Sequence, residues 1–125
     1  MGIDIYLRWT LQTDAEREAQ HTGYSVTHGH VGYLREAYHG EPYATKALLP
    51  ECFADDTYGS PQVIPAATLR KRLPEVVRLA VQRERDVYRN DVDEHSPVVR
   101  SFVDFVELAE RMEAEGKGVT VVASW

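Results

Sequence analysis

The chain has 125 residues, is 43% hydrophobic and 27% charged, and carries a net charge of −6. That composition is ordinary for a globular protein, and the length suits one domain with a core of its own. A lone cysteine, Cys52, excludes an internal disulfide and a cysteine-rich zinc site, and no apolar run approaches the ~20 residues that span a bilayer.

The opening MGIDIYLRW has no basic region followed by a long apolar stretch, so it does not read as a signal peptide, and the expectation is a cytoplasmic protein. Residues 3–9 alternate strictly. Ile3, Ile5, Leu7 and Trp9 fall on one face and Asp4, Tyr6 and Arg8 on the other, the pattern of a half-buried strand. Thr13 followed by Glu16 is a capping box that opens a short polar helix ending before Gly23. Residues 24–28 suit a second short strand. The spacing of Val31, Leu34 and Tyr38 predicts a helix over 31–39, closed by Gly40.

Pro42, Pro50, Pro61 and Pro65 break the next stretch into short pieces. Pro74 and Glu75 suit a helix first turn, and Val76, Val77, Ala80 and Val87 extend that helix to about residue 88. Ser101 and Asp104 form another capping-box start, with Pro97 as an earlier alternative. Phe102, Phe105, Val106, Ala109 and Met112 make the buried stripe of this helix, and Gly116 ends it. Residues 119–125 read as a closing strand. The sum predicts an α+β fold in one domain over 1–125: a small, mainly antiparallel sheet including the N- and C-terminal strands, packed against two longer helices. An exposed edge on a terminal strand would make a homodimer through the sheet reasonable.

Charge is uneven. Residues 70–89 hold seven of the fourteen basic side chains and three acidic ones, a net of +4 that leaves −10 elsewhere. The pattern predicts a solvated helix face paired with acidic neighbours rather than a nucleic-acid footprint.

Chemistry concentrates in YSVTHGHVGYLREAYHGEPY, residues 24–43, which holds four of seven tyrosines and three of five histidines. Arg35 and His39, four apart on the predicted helix, would meet a phosphate or carboxylate together with His28 and His30. Tyr24, Tyr33, Tyr38 and Tyr43 would stack on a base or line the pocket, and Gly29 and Gly32 at the helix start would present backbone N–H groups to an anion. Arg8, with Tyr6, would form the floor if the pocket lies on the polar side of the first strand. No G-x-x-x-x-G-K-[ST] or G-x-G-x-x-G motif names the nucleotide.

The same segment supports a metal site. His28 and His30 in a strand point to one side, and Glu36 and His39 on a helix sit one turn apart, a ligand set for zinc or another divalent metal and hence for a metal-dependent hydrolase. Neither H-E-x-x-H nor G-x-S-x-G occurs, and carboxylates at Asp55 and Asp56 disfavour a Cys52 thiolate, so no complete catalytic signature is present. A third reading, from the acidic balance, is a protein-interaction or inhibitor module.

MGIDIYL, the run HGHVGYLREAYHGEPYAT and the closing VVASW resemble small proteins encoded in bacterial and phage genomes. That resemblance brings no activity with it, and only by analogy with small phage proteins that sequester nucleotide signals or block host factors does it favour binding over catalysis. The leading expectation is therefore a small binding protein for an anionic, nucleotide-like ligand, with no cofactor and no membrane. The metal site and the interaction module are its alternatives.

Overall fold

The computed structural model describes residues 2–21, 33–37, 44–54 and 59–124, with the backbone alone for 19–21, 33 and 35–37. The strands are β1 (Gly2–Trp9), β2 (Tyr33–Ala37) and β3 (Val119–Ser124), and the helices are α1 (Asp14–His21), α2 (Ala44–Leu48), α3 (Ala66–Asp86) and α4 (Pro97–Ala114). A 3-10 turn, Pro50–Phe53, follows α2. Among the described residues no helix is long and apolar enough to cross a membrane.

β1 is the centre of a three-stranded antiparallel sheet of order β2-β1-β3. Its alternation is realised in full: Ile3, Ile5, Leu7 and Trp9 are buried, while Asp4, Tyr6 and Arg8 are half-buried on the opposite face. Val121 and Ala123 of β3 and Leu34 of β2 join the buried side. α4 touches all three strands, α3 packs against α4, and α2 packs against α3. Ile3, Ile5, Leu7, Phe102, Phe105, Val106 and Met112 belong to one hydrophobic cluster. The α+β architecture read from the sequence, two long helices against a sheet holding both terminal strands, is the one observed.

Several ends are closed by their own chemistry. The Thr13 N–H donates to Glu16 Oε1 at 3.0 Å and the Glu16 N–H to Thr13 Oγ1 at 3.1 Å, a reciprocal capping box. α4 stops in a Schellman motif: Gly116 takes φ +77, its N–H donates to the Glu113 carbonyl, and the Lys117 N–H donates to that of Met112.

Three element boundaries depart from the sequence pattern. β2 replaces the helix expected over 31–39. Val31, Leu34 and Tyr38 match helical spacing, but Leu34 is the register partner of Ile5 and is buried. Pairing along the edge of β1 satisfies the backbone and hides Leu34 at once, and that long-range gain outweighs local periodicity.

α3 begins at Ala66, eight residues before Pro74. Its N-terminus is held by the last turn of α4, where Glu113 Oε2 accepts the Ala66 N–H at 2.9 Å. Leu69 and Leu73, ahead of the proline, are buried, so packing carries the helix through it. α4 starts at Pro97 rather than Ser101, because Pro97 is pre-set for a first turn and Val99 needs to be buried. Ser101 Oγ donates to the Val98 carbonyl inside that helix, and Asp104 pairs with Arg100.

β1 is central, and the outer edge of β3 is bonded by the chain's own segment: Gln62 and Val121 exchange two hydrogen bonds of 2.8 Å, and the Gly59 N–H donates to the Ala123 carbonyl. The predicted strand over 24–28, Gly23, Gly40, Asp55, Asp56 and Trp125 lie outside the described residues.

Three measurements test this packing. Phe105→Ala, at a residue with 0% exposure, should destabilise by about 3–5 kcal/mol in denaturant unfolding. Pro74→Ala should raise stability by roughly 1–2 kcal/mol, because the interior proline costs about 3 kcal/mol in helix propensity and returns part of it by stiffening the unfolded chain. Burial lifts the Cys52 thiol from 9.0 to about 11. Below pH 9 the thiol is neutral in both states. Between pH 9 and 11 only the unfolded chain ionises, so this group should cost about 2–3 kcal/mol of stability as pH rises through that window. The cost should vanish in Cys52→Ala, and a parallel pH profile for the variant would exclude the thiol as its source.

Candidate functional site

The sheet has a dry face against the helices and an outer face built from alternating polar and apolar positions. Asp4, Tyr6 and Arg8 of β1 share that outer face with Thr120, Val122 and Ser124 of β3, all half-buried. Directly opposed residues of an antiparallel pair lie on one face, and register pairs Tyr6 with Tyr33 and Asp4 with Arg35. Positions 33 and 35 therefore belong to the outer face, beside the strand that carries Arg8. Of the predicted binding set, positions 33 and 35 are thus register neighbours of Tyr6 and Asp4 along β1.

Position 36 is the register partner of Ile3 and belongs to the core side. In a strand, neighbours alternate across the sheet, so Arg35 and Glu36 occupy opposite sides. Residues 33–37 are strand, so Arg35 and Glu36 do not sit on the helix expected there, while Gly29 and Gly32 lie outside the described residues. Tyr24, His28, His30, Tyr38, His39 and Tyr43 lie outside the described residues. Among the described residues no group of three or more His, Cys, Asp and Glu side chains is placed to hold a metal ion.

The geometry around Arg8 is specific. Its guanidinium carbon stands 5.0 Å from the centroid of the Tyr6 ring, two residues back on the same face, a cation–π arrangement. Burial pushes the Arg8 pKa below its ordinary value, and the positive charge of Arg17 pushes it further the same way, with Tyr6 opposing. Arg17 is an exposed residue of α1 that sequence reasoning did not single out. A turn separates it from β1. Leu11 adopts φ +65, the Gln12 N–H donates to the Trp9 carbonyl, and Gln12 Nε2 reaches back to the Leu7 carbonyl at 3.4 Å. α1, which carries Arg17, follows this turn. No local motif marks it, since a left-handed leucine is not a turn signature.

The basic segment behaves differently. Arg70 pairs with Glu110, Arg72 with Glu51 and Arg78 with Glu75, each through two guanidinium nitrogens. The hydrogen bonds from these arginines hold the Glu110, Glu51 and Glu75 carboxyls below the usual carboxylate range. Arg83 is buried with its guanidinium 5.8 Å from the Tyr88 ring centroid. These cations are engaged by the fold.

Cys52 has no nucleophilic geometry. It is fully buried, its thiol is lifted to about 11, and its Sγ lies 4.0 Å from the Val121 carbonyl oxygen. The chain matches no family model, and no curated protein or solved structure matches it at a significant level.

Proposed function

We propose that the protein binds a small anionic, nucleotide-like ligand on the outer face of the sheet, where Arg8 and Arg17 meet the anion. Arg35, Tyr33 and the neighbouring segment 24–43, with Tyr24, His28, His30, Tyr38, His39 and Tyr43, supply the remaining contacts in this reading. The observation that carries it is the half-buried Arg8 guanidinium lying over the Tyr6 ring. Burial and the positive charge of Arg17 both disfavour its charged form, and an anion bound there would offset both. Arg8 lies against Tyr6, so its planar fork is oriented before any ligand arrives, and less rotamer freedom is lost on binding.

A phosphate suits Arg8 because charge-assisted hydrogen bonds from arginine are short, directional and bidentate. An aromatic ring system attached to that phosphate suits the Tyr6–Tyr33 register pair, which gives two aromatic positions on the same face. Asp4, opposite Arg35, disfavours an anion at that end and biases the charged group toward Arg8.

Calorimetric titration with a panel of nucleoside mono-, di- and triphosphates tests the reading. One class should bind, and Arg8→Gln should weaken it at least tenfold, about 1.5–3 kcal/mol for a lost charged hydrogen bond, while the melting temperature of the unliganded protein stays near wild type. Arg17→Gln should weaken it by a smaller factor, and raising salt from about 50 to about 500 mM should weaken wild type more than either variant. A nucleotide that binds Arg8→Gln as tightly as wild type would remove the sheet face as the site.

A further inference from the structure

A groove lies along α3, and Arg8, Arg17, Tyr6 and Asp4 do not line it. It is a groove of about 420 Å³ between α3 and the connection leading to α4, lined by Pro74, Val77, Arg78, Val81, Arg85, Asp93, Glu94 and His95. The five α3 residues are spaced 0, 3, 4, 7 and 11, so they form one stripe, distinct from the buried stripe that holds Leu69, Leu73, Val76 and Ala80. Val77 and Val81 are half-buried and, with Pro74, make an apolar floor.

The charges around that floor are not equivalent. Arg78 is committed to Glu75 and to Gln82 Oε1. Arg85 is oriented by a single bond from Nε to the Val92 carbonyl at 2.9 Å, and its two terminal nitrogens have no partner among the described residues. On the opposite wall Asp93 is fixed by its own turn, with Oδ1 accepting the His95 N–H at 2.8 Å, and Oδ2 has no partner among the described residues. The Glu94 carboxylate stands 3.4 Å from His95 Nε2, which is an ion pair only when His95 is protonated. One wall thus offers an oriented guanidinium fork, the other offers carboxylates, and an apolar strip lies between them.

We propose that this groove binds a free apolar α-amino acid of leucine or phenylalanine size. The carboxylate meets the terminal nitrogens of Arg85, the ammonium meets Asp93 and Glu94, and the side chain lies on Val77 and Val81. The charge pattern selects a zwitterion: a simple carboxylate would face Asp93 and Glu94, and a simple amine would face Arg85. The volume sits at the low end of the roughly 300–1,000 Å³ range of ligand sites, which suits a molecule smaller than a nucleotide. Because the groove is open to solvent, binding is weak and fast, with a dissociation constant near about 1 mM.

The test is an amide-resolved NMR titration of the full chain with L-leucine and L-phenylalanine, taken to about 10 mM to reach saturation. Both should shift the amides of Val77, Val81, Arg85 and His95 along saturable curves. N-acetyl-L-leucine, which has lost the ammonium, and L-leucinamide, which has lost the carboxylate, should each bind about tenfold more weakly or not measurably. Arg85→Gln should lose the leucine response. Glu94→Gln, at a side chain that makes no structural bond beyond His95, should weaken it with the fold intact. Arg8→Gln should leave it unchanged, which separates this groove from the sheet-face site. No saturable shift at these amides, equal binding of N-acetyl-L-leucine, or an unchanged response in both Arg85→Gln and Glu94→Gln would overturn the proposal.

Discussion

Strand β1 must hide one face from water while bonding along both edges, and nearly every other placement follows from meeting those two demands. Fully burying Ile3, Ile5, Leu7 and Trp9 is worth roughly 1.5–3 kcal/mol per side chain, so exposing this face would consume a large part of a small domain's net stability. α4 supplies the cover, with Phe102, Phe105, Val106 and Met112 inside the same cluster, and α3 backs α4. β2 and β3 supply the two edges. A one-residue slip in either pairing would turn polar positions into the core, which is why the register is determinate and why it can be used to place residues on a face.

That parity divides the chemistry. Register sets position 33 beside Tyr6, position 35 beside Asp4 and position 36 beside Ile3. Adjacent positions of β2 therefore fall on opposite sides of the sheet.

Electrostatics sort the arginines in the same way. Those of α3 that face α4, the 3-10 turn or a neighbour one turn away are neutralised by Glu110, Glu51 and Glu75. Such exposed pairs add little stability, typically under about 1 kcal/mol each, but they remove the basic segment as a diffuse positive surface. Two other cations are held differently: Arg8 lies over the Tyr6 ring, and Arg85 donates from Nε to the Val92 carbonyl. Burial also lifts the Asp104 carboxyl despite its pairing with Arg100, which marks the half-buried flank of α4 rather than a proton-transfer site.

The sequence by itself determined the features whose energetics are local or strictly periodic. Alternation in β1, the Thr13–Glu16 capping box, the α4 stripe and its glycine stop were all legible, because each depends on residues within a few positions of one another. Tertiary structure decided the rest. Residues 33–37 became a strand because an edge of β1 needed bonding and Leu34 needed burial. α3 ran through Pro74 because Leu69 and Leu73 pack inside and Glu113 holds its start. The α3 groove arose where a helix stripe met a connection at least eight residues further along the chain. In each case the deciding free energy comes from groups distant along the chain, and a local pattern carries no record of partners it has not yet met.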